Sequence, residues 1–340
     1  MKKLRVIVLV HYSLVPPEDL TPDDPRFEKF RTEYEVRQAL LKLGHEARMV
    51  GVYDDLGPIR KSIEEWKPHI AFNLLEDFAG NSAFDHYVVS FLETLRLPYT
   101  GCNPRGLLLA RDKGLSKKLL TYHRINVPEF AVFPFRRKVG RLPKLPFPLI
   151  VKSLIEEGSV GIARSSVVEN DAELRERIAL MHEKFRGDVI AEQYIEGREL
   201  YATVLGNERL EVLPTRELVF GNAEPGAPRV ATYRVKWNEN YRKRWGIEYQ
   251  FARHLPNGVG ERVVALCKRI YRVLDLSGYG RIDLRLSAEN EIYVLEANPN
   301  PAIASDDEAA AAAQKAGISY DELIQRILGL GLAWSRAEAE

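Results

Sequence analysis

Gly278–Ile303, GYGRIDLRLSAENEIYVLEANPNPAI, is the stretch on which the fold turns. Its two alternating apolar runs make an antiparallel hairpin over Gly280–Asn298. With the turn centred on Ala288–Glu291, Leu286 faces Tyr293, Leu284 faces Leu295 and Ile282 faces Ala297, one apolar, core-directed face. The other face sets Asp283 opposite Glu296 and Arg281 opposite Asn298. Cβ atoms directly opposed across a sheet lie about 4.5–5.5 Å apart, so two carboxylates there are destabilising. A divalent cation removes that penalty. Two carboxylates with an Asn carbonyl are hard oxygen donors of the kind Mg²⁺ takes. The alternative is a solvated face on which Arg281 and Arg285 neutralise the acids, and the hairpin alone does not choose between them.

Outward from the hairpin, the first hundred residues alternate strand and helix signals. Strands are expected at Arg5–Val10, Ala47–Val52, Ile70–Leu74 and Pro98–Thr100. Helices fall between them: one carrying the stripe Phe27, Phe30, Tyr34, Leu40, Leu41 and closed by Gly44, then Ile59–Trp66 and Phe84–Leu95. Such alternation implies α/β architecture with a parallel, doubly wound sheet. From about Gly101 the pattern changes. A basic helix at Asp112–Thr121 precedes strands Glu129–Phe133 and Pro148–Lys152, a polar Gly-containing loop, a helix from Asp171 and strands Val189–Gln193, Glu199–Leu205 and Glu208–Leu213. Arg216–Pro228 has no clear period, which is how lids often read. Helices at Glu261–Leu274, Glu308–Lys315 and Tyr320–Leu328 complete the chain.

Composition narrows the function by exclusion. The 340 residues predict two to three domains. A net charge of +1, from 49 Lys+Arg against 48 Asp+Glu, gives no basic concentration for nucleic acid. Two cysteines, Cys102 and Cys267, are too few for a disulfide framework and fit a reducing cytosol. The apolar run Val6–Val10 is too short for a signal peptide, and no stretch approaches the roughly 20 apolar residues of a membrane span, so a cytoplasmic protein is expected. There is no phosphate-binding P-loop, no G-x-G-x-x-G after the first strand, no His pair at i, i+4, no C-x-x-C and no G-x-S-x-G elbow.

Other segments bear on the hairpin. Lys113 opens a helix in ARDKGLSKKLL; Lys152 ends the strand PLIVK, ahead of the loop EEGSVGIA, where Gly158 and Gly161 bracket Ser159 and leave backbone N–H groups to offer a phosphate. AEQYIEGREL supplies Glu192 and Glu199 around Gly197. Each is weak alone, but their order is not. LPYTG (Leu97–Gly101), RDKGLSKKLL, IVK with its Gly/Ser loop, AEQYIEGREL, GRIDLRL and LEANPNPAI together resemble the ATP-grasp superfamily, and within it the D-alanine–D-alanine ligase branch, from about residue 5 to 330.

The resemblance implies a three-part ATP-grasp fold: residues 1–101 as an N-terminal α/β part, 102–189 as a central part and 190–340 as a C-terminal part, with ATP between the last two. It implies that Lys113 and Lys152 hold ATP phosphates beside the loop of Gly158 and Ser159, and that Glu192, Gln193, Tyr194 and Ile195 border adenine. Glu199 is implied at the ribose, and Asp283, Glu296 and Asn298 as ligands of Mg²⁺, or of Mn²⁺ in its place. Lys236, in TYRVKW, is implied near the γ-phosphate, and Arg281 as the group stabilising negative charge on an acyl phosphate and then a tetrahedral intermediate. The implied activity joins a small carboxylate to an amine, amino acids among them, forming ADP; family members are often dimers through the N-terminal part.

The departures concern the amino-acid side. Gly158 stands where the family has the first of two serines, Trp237 where it has a lid tyrosine, Glu76-Asp77 where it has His-Gly, and Pro301-Ala302 and Asp307 where it has Pro-Gly and an acceptor-binding serine. A ligase with substrates other than two D-alanines is therefore expected, with Asp306, Asp307 and Glu76 hinting at a cationic one. An authentic D-alanine–D-alanine ligase and a silent nucleotide-binding regulator are the competing readings.

Overall fold

The computed structural model of the chain describes residues 3–137, 139–140, 144–156, 158–222 and 228–337. In the N-terminal part, β1 (Arg5–His11), α1 (Phe27–Lys42), β2 (Glu46–Val52), α2 (Gly57–Trp66), β3 (Ile70–Asn73) and α3 (Asp85–Thr94) alternate as expected. The sheet is parallel, in the order β2-β1-β3. Every second residue of β1 faces the same way: Val6, Val8 and Val10 pack with α1, while Ile7 and Leu9 join the cluster holding Ile59 and Val88. Helices thus cover both faces. The strand expected at Pro98–Thr100 shrinks to one bridge, Tyr99 to Ala71.

Two short helices follow, α4 (Pro104–Arg111) and α5 (Lys113–Tyr122). The first was not expected from sequence, although Asn103 followed by Pro104 is a helix start: the Asn103 side-chain Oδ1 accepts from Gly106 N–H at 2.9 Å. Asp112 caps the second helix by accepting from Leu115 N–H at 2.8 Å, which fixes Lys113 as its first residue. The central sheet, ordered β4-β7-β5-β6, comprises β4 (Phe130–Phe133), β5 (Leu149–Ser153), β6 (Val167–Val168) and β7 (Val189–Gln193), backed by α6 (Asp171–Phe185).

The third sheet carries β8 (Arg198–Leu205), β9 (Glu211–Val212), β10 (Arg216–Phe220), α7 (Tyr233–Trp237), α8 (Glu239–Trp245), β11 (Ile247–Phe251), α9 (Val259–Val273), β12 (Tyr279–Leu286) and β13 (Ile292–Pro299), in the strand order β11-β10-β8-β12-β13 with β9 on β8. The segment from Arg216 is therefore not unpatterned throughout. Arg216–Phe220 pairs with β8 on one side and β11 on the other, and I-E-Y-Q-F of β11 alternates with period two. Helices α10 (Glu308–Lys315) and α11 (Tyr320–Ala337) return to the first sheet, where Ala309, Ala313, Leu323 and Ile327 share a core with Val6 and Val8. No helix among the described residues is long and apolar enough to cross a membrane.

The hairpin register holds where the acids lie and fails beyond them. Asp283 pairs with Glu296, Ile282 with Ala297 and Arg281 with Asn298. The register then slips, so Leu284 faces Val294 and Leu286 faces Ile292, not Leu295 and Tyr293. A β-bulge at Leu295 absorbs one residue. It is held by Lys117, whose ammonium donates to the carbonyls of Val294 (3.4 Å) and Leu295 (2.5 Å), while Val294 N–H donates to Asn126 O at 2.9 Å. The ladder is lost locally and these side interactions replace it.

Candidate active site

Between the central and third sheets lies a cleft with about 720 Å³ of space between its walls. Of the residues singled out in the sequence, it is lined by Lys113, Lys152, Ser159, Glu192, Gln193, Tyr194, Ile195, Glu199, Lys236, Asp283 and Glu296. Gly158, Arg281 and Asn298 stand next to this lining in sequence or strand register, outside it.

The cationic wall comes first. Lys113, at the start of α5, donates to Glu156 O at 2.8 Å and lies 3.6 Å from Glu296. Lys152 on β5 is 3.0 Å from Glu192 on the neighbouring β7, both buried. Lys117, fully buried, approaches the other Glu192 oxygen to 3.5 Å, an ionic contact rather than a hydrogen bond, since that oxygen has no hydrogen-bond partner. Burial drives Lys117 down to about 8, with the Glu192 carboxylate opposing the shift. For Lys152 burial also acts downward, but Glu192 and Glu296 outweigh it and hold the ammonium above its ordinary range. Glu192, expected at adenine, thus has its carboxylate set between two lysines.

The acidic pair behaves as its surroundings dictate. Burial lifts Asp283 above the usual carboxylate range, and Glu296 pushes the same way against the Arg281 ion pair. Burial would raise Glu296 as well, but Lys113, Lys236, Lys152 and Arg281 together overcome it and keep it ionised. Arg281 forks onto Asp283 at 2.7 and 3.0 Å, lies 5.3 Å over the Tyr201 ring and is 3.6 Å from Glu308. Among the described residues no three acidic, His or Cys side chains gather around one point. Asn298, two residues from Glu296 on the same strand, is buried and its side-chain nitrogen has no hydrogen-bond partner. An all-oxygen donor set of two carboxylates and one amide suits a hard divalent cation and not a soft one.

Sequence reasoning missed Arg285 as a site residue. It lines the cleft, pairs with Glu199 at 2.8 Å and donates to the carbonyls of Gly197 and Arg229. Tyr201 O–H takes the second Glu199 oxygen at 2.7 Å. Its signal was its place two residues from Asp283 on the same strand face. Lys117 had a signal too, one helical turn beyond Lys113.

The stretch after residue 228 closes over the loop of Gly158–Ile162. Trp237 Nε1–H donates to Gly158 O at 2.9 Å, Tyr233 N–H to Ile162 O at 3.1 Å, and Arg164 stacks 4.7 Å from the Trp245 ring centre. The indole cannot supply a phenol's hydroxyl, yet its N–H latches the loop. Trp237→Phe keeps an aromatic ring and removes that bond, so KM for ATP rises about two- to fivefold with little change in melting temperature. Steady-state kinetics beside a thermal melt check this; an unchanged KM means the latch does not govern nucleotide binding.

Two of the acids that hint at a cationic substrate have partners within the chain. Asp306 pairs with Arg31 at 2.8 Å, and Asp307 accepts from Ala304 N–H in its own turn at 2.6 Å.

The comparisons with known proteins agree with this geometry. The family model described as D-ala D-ala ligase C-terminus matches residues 120–329. A D-alanine--D-alanine ligase of Bordetella petrii is 32% identical over 298 residues, 86% of this chain and 84% of that protein. An uncharacterized protein, y4sG, of Sinorhizobium fredii is 32% identical over 263 residues, 76% of this chain and 73% of its own. Among solved structures, the D-alanine--D-alanine ligase from Bacillus anthracis complexed with ATP superposes with a TM-score of 0.75 at 23% identity, over 99% of this chain and 100% of that one, which shows a common fold. With a cleft of lysines facing paired carboxylates, a matching family model and relatives along most of its length, the chain belongs to the D-alanine–D-alanine ligase-like family of ATP-grasp enzymes, ADP-forming ligases that make C–N bonds.

Proposed function

We propose that this protein joins a small carboxylate to an amine through an acyl phosphate, and that its substrates are not two D-alanines. The observation that carries the chemistry is the convergence of Lys113, Lys152 and Lys236 on Glu296, across from Asp283, in one cleft. Lys113 and Lys152 take ATP phosphates beside Gly158 and Ser159, Gln193, Tyr194 and Ile195 border the base with Glu192 behind them, and Glu199 takes the ribose. Asp283, Glu296 and Asn298 would hold Mg²⁺ or Mn²⁺, which would supply neutralisation of phosphate charge. The substrate carboxylate attacks the γ-phosphorus, the bond to the ADP oxygen breaks, and ADP leaves. The amine then attacks the acyl carbon, loses a proton and expels phosphate. Lys236 and Arg281 stabilise the negative charge that develops, and positioning with electrostatics supplies most of the rate. The segment latched by Trp237 excludes water, without which the acyl phosphate would hydrolyse. The division at residues 101 and 189, with the cleft between the second and third parts, and a cytoplasmic location belong to the same proposal.

Support for a different substrate lies in the rewritten positions Glu76-Asp77, Gly158, Trp237, Ala302 and Asp307. The second reading, an authentic D-alanine–D-alanine ligase, is favoured by the name of the Bordetella petrii relative. Phosphate release from Mg-ATP across D- and L-amino acids, with mass detection of products, separates the two. Amide products other than D-Ala-D-Ala are expected. Robust D-Ala-D-Ala formation would falsify the substrate assignment, and nucleotide binding with no turnover on any amine would remove the ligase assignment itself.

A further inference from the structure

A second cavity opens at the far end of the strands that carry the paired carboxylates. About 400 Å³ of space lies between walls that include Thr32, Glu33, Asn73, Glu76, Tyr279 and Asn300. Tyr279 and Asn300 are each two residues from Arg281 and Asn298, the pair two rungs along the ladder from Asp283 and Glu296 and on the same face. Cleft, Arg281 and cavity therefore follow one another along β12 and β13.

Among the described residues no lysine, arginine or histidine lines this cavity, and two carboxylates do. Glu33 decides its character. It sits on α1 with only 7% of its surface exposed, yet no other residue hydrogen-bonds or ion-pairs with it among the described residues. Of the cations nearest it on α1, Arg31 turns to Glu35 and Asp306, and Arg37, one turn on, makes no ion pair or hydrogen bond with it among the described residues. Burial holds the Glu33 carboxyl above its ordinary range, as expected of an acid that has no cation beside it. A buried carboxylate aimed into an acid-lined cavity is complementary to a cation delivered from outside.

We propose that this cavity receives the cationic side chain of a basic amino-acid substrate, with Glu33 as the specificity-determining residue. The proposal rests on the ligase reading above and names its substrate class. Reach selects the side chain over the α-ammonium. Two strand residues span about 7 Å. A carboxylate reacting beside Arg281 leaves an α-ammonium, two bonds away, short of the cavity. An ammonium or guanidinium on a three- or four-carbon stem reaches it. The space also exceeds what the methyl group of alanine would fill.

The test separates binding from turnover. Calorimetry on the full chain with a non-hydrolysable ATP analogue compares D- and L-lysine with D- and L-norleucine, which has the same length and no charge. The wild type binds one lysine enantiomer at least about tenfold tighter than the matching norleucine, because a site built to pair a charge rejects the analogue lacking it. Glu33→Gln brings the two within about threefold by weakening lysine, and leaves nucleotide affinity unchanged. Equal binding of lysine and norleucine by the wild type overturns the proposal without any variant. A Glu33→Gln protein that keeps the full preference overturns Glu33 as its source. Phosphate release on the same amino acids reads the ligase chemistry separately: lysine preference in binding with no turnover keeps this site and removes the ligase reading, and turnover restricted to neutral amino acids does the reverse.

Discussion

Asp283→Asn combined with Glu296→Gln lowers ATP-dependent phosphate release by at least about a thousandfold while the chain stays folded. The two carboxylates are the anionic centre on which Lys113, Lys152, Lys236 and Arg281 converge. With both neutral, the oxygen donors lose the charge that attracts a divalent cation, and four cationic groups face one another instead. The isosteric amides keep the ladder pairing and leave Arg281 an oxygen to donate to, with Glu308 still 3.6 Å away, so the loss of stability is partial while the loss of rate is near complete. Phosphate release at saturating Mg-ATP, beside a thermal melt, measures both. Activity within tenfold of wild type would show that the cation is held elsewhere.

Lys152→Met carries the second large effect, and it falls on stability and catalysis together. Lys152 and Glu192 form a buried pair at 3.0 Å. Removing one member of such a pair costs about 3–5 kcal/mol, because the other is left charged away from water. Lys117, at 3.5 Å with no hydrogen bond to Glu192, offsets only part of that. The melting temperature drops by about 5–10 °C, and turnover falls at least about a hundredfold with the loss of the ammonium proposed to face phosphate. Adding Glu192→Gln divides the two effects. The double variant regains most of the lost stability, since no unpaired acid remains, and regains none of the activity. Recovery of turnover in the double variant would mean that Lys152 serves the fold alone.

What the sequence made legible follows from where side-chain type and spacing suffice. Asp283 opposite Glu296 came from alternation across a short turn, and the near-terminal helix position of Lys113 from the start of the basic helix expected at Asp112–Thr121. The bulge was not legible, because Leu295 is an ordinary strand residue and what stabilises the slip is Lys117, far away in sequence. Lys117 itself looks like its neighbour Lys118, yet one is buried and the other exposed. Only the packing of α5 against the hairpin separates them. Glu33 was hidden for the same reason, as one acid among many along a charged helix. Asp306 and Asp307 have partners that spacing could not name, a helix arginine and a backbone N–H.

The slip at Leu295 has a consequence for how this strand can change. Ile292, Val294, Glu296 and Asn298 are all even-numbered, and in an unbroken pleat they would share one side of the sheet. Here the first two are on the core side with Leu284 and Leu286, and the last two are with Asp283. The extra residue acts as a phase switch, letting a single strand be apolar inward for half its length and anionic toward the cleft for the other half. Deleting it would force a choice between greasing the catalytic cleft and burying the acids in the core. Loss of one residue here is therefore a frameshift of chemistry, whereas loss of a cross-strand pair nearer the turn would merely shorten the hairpin.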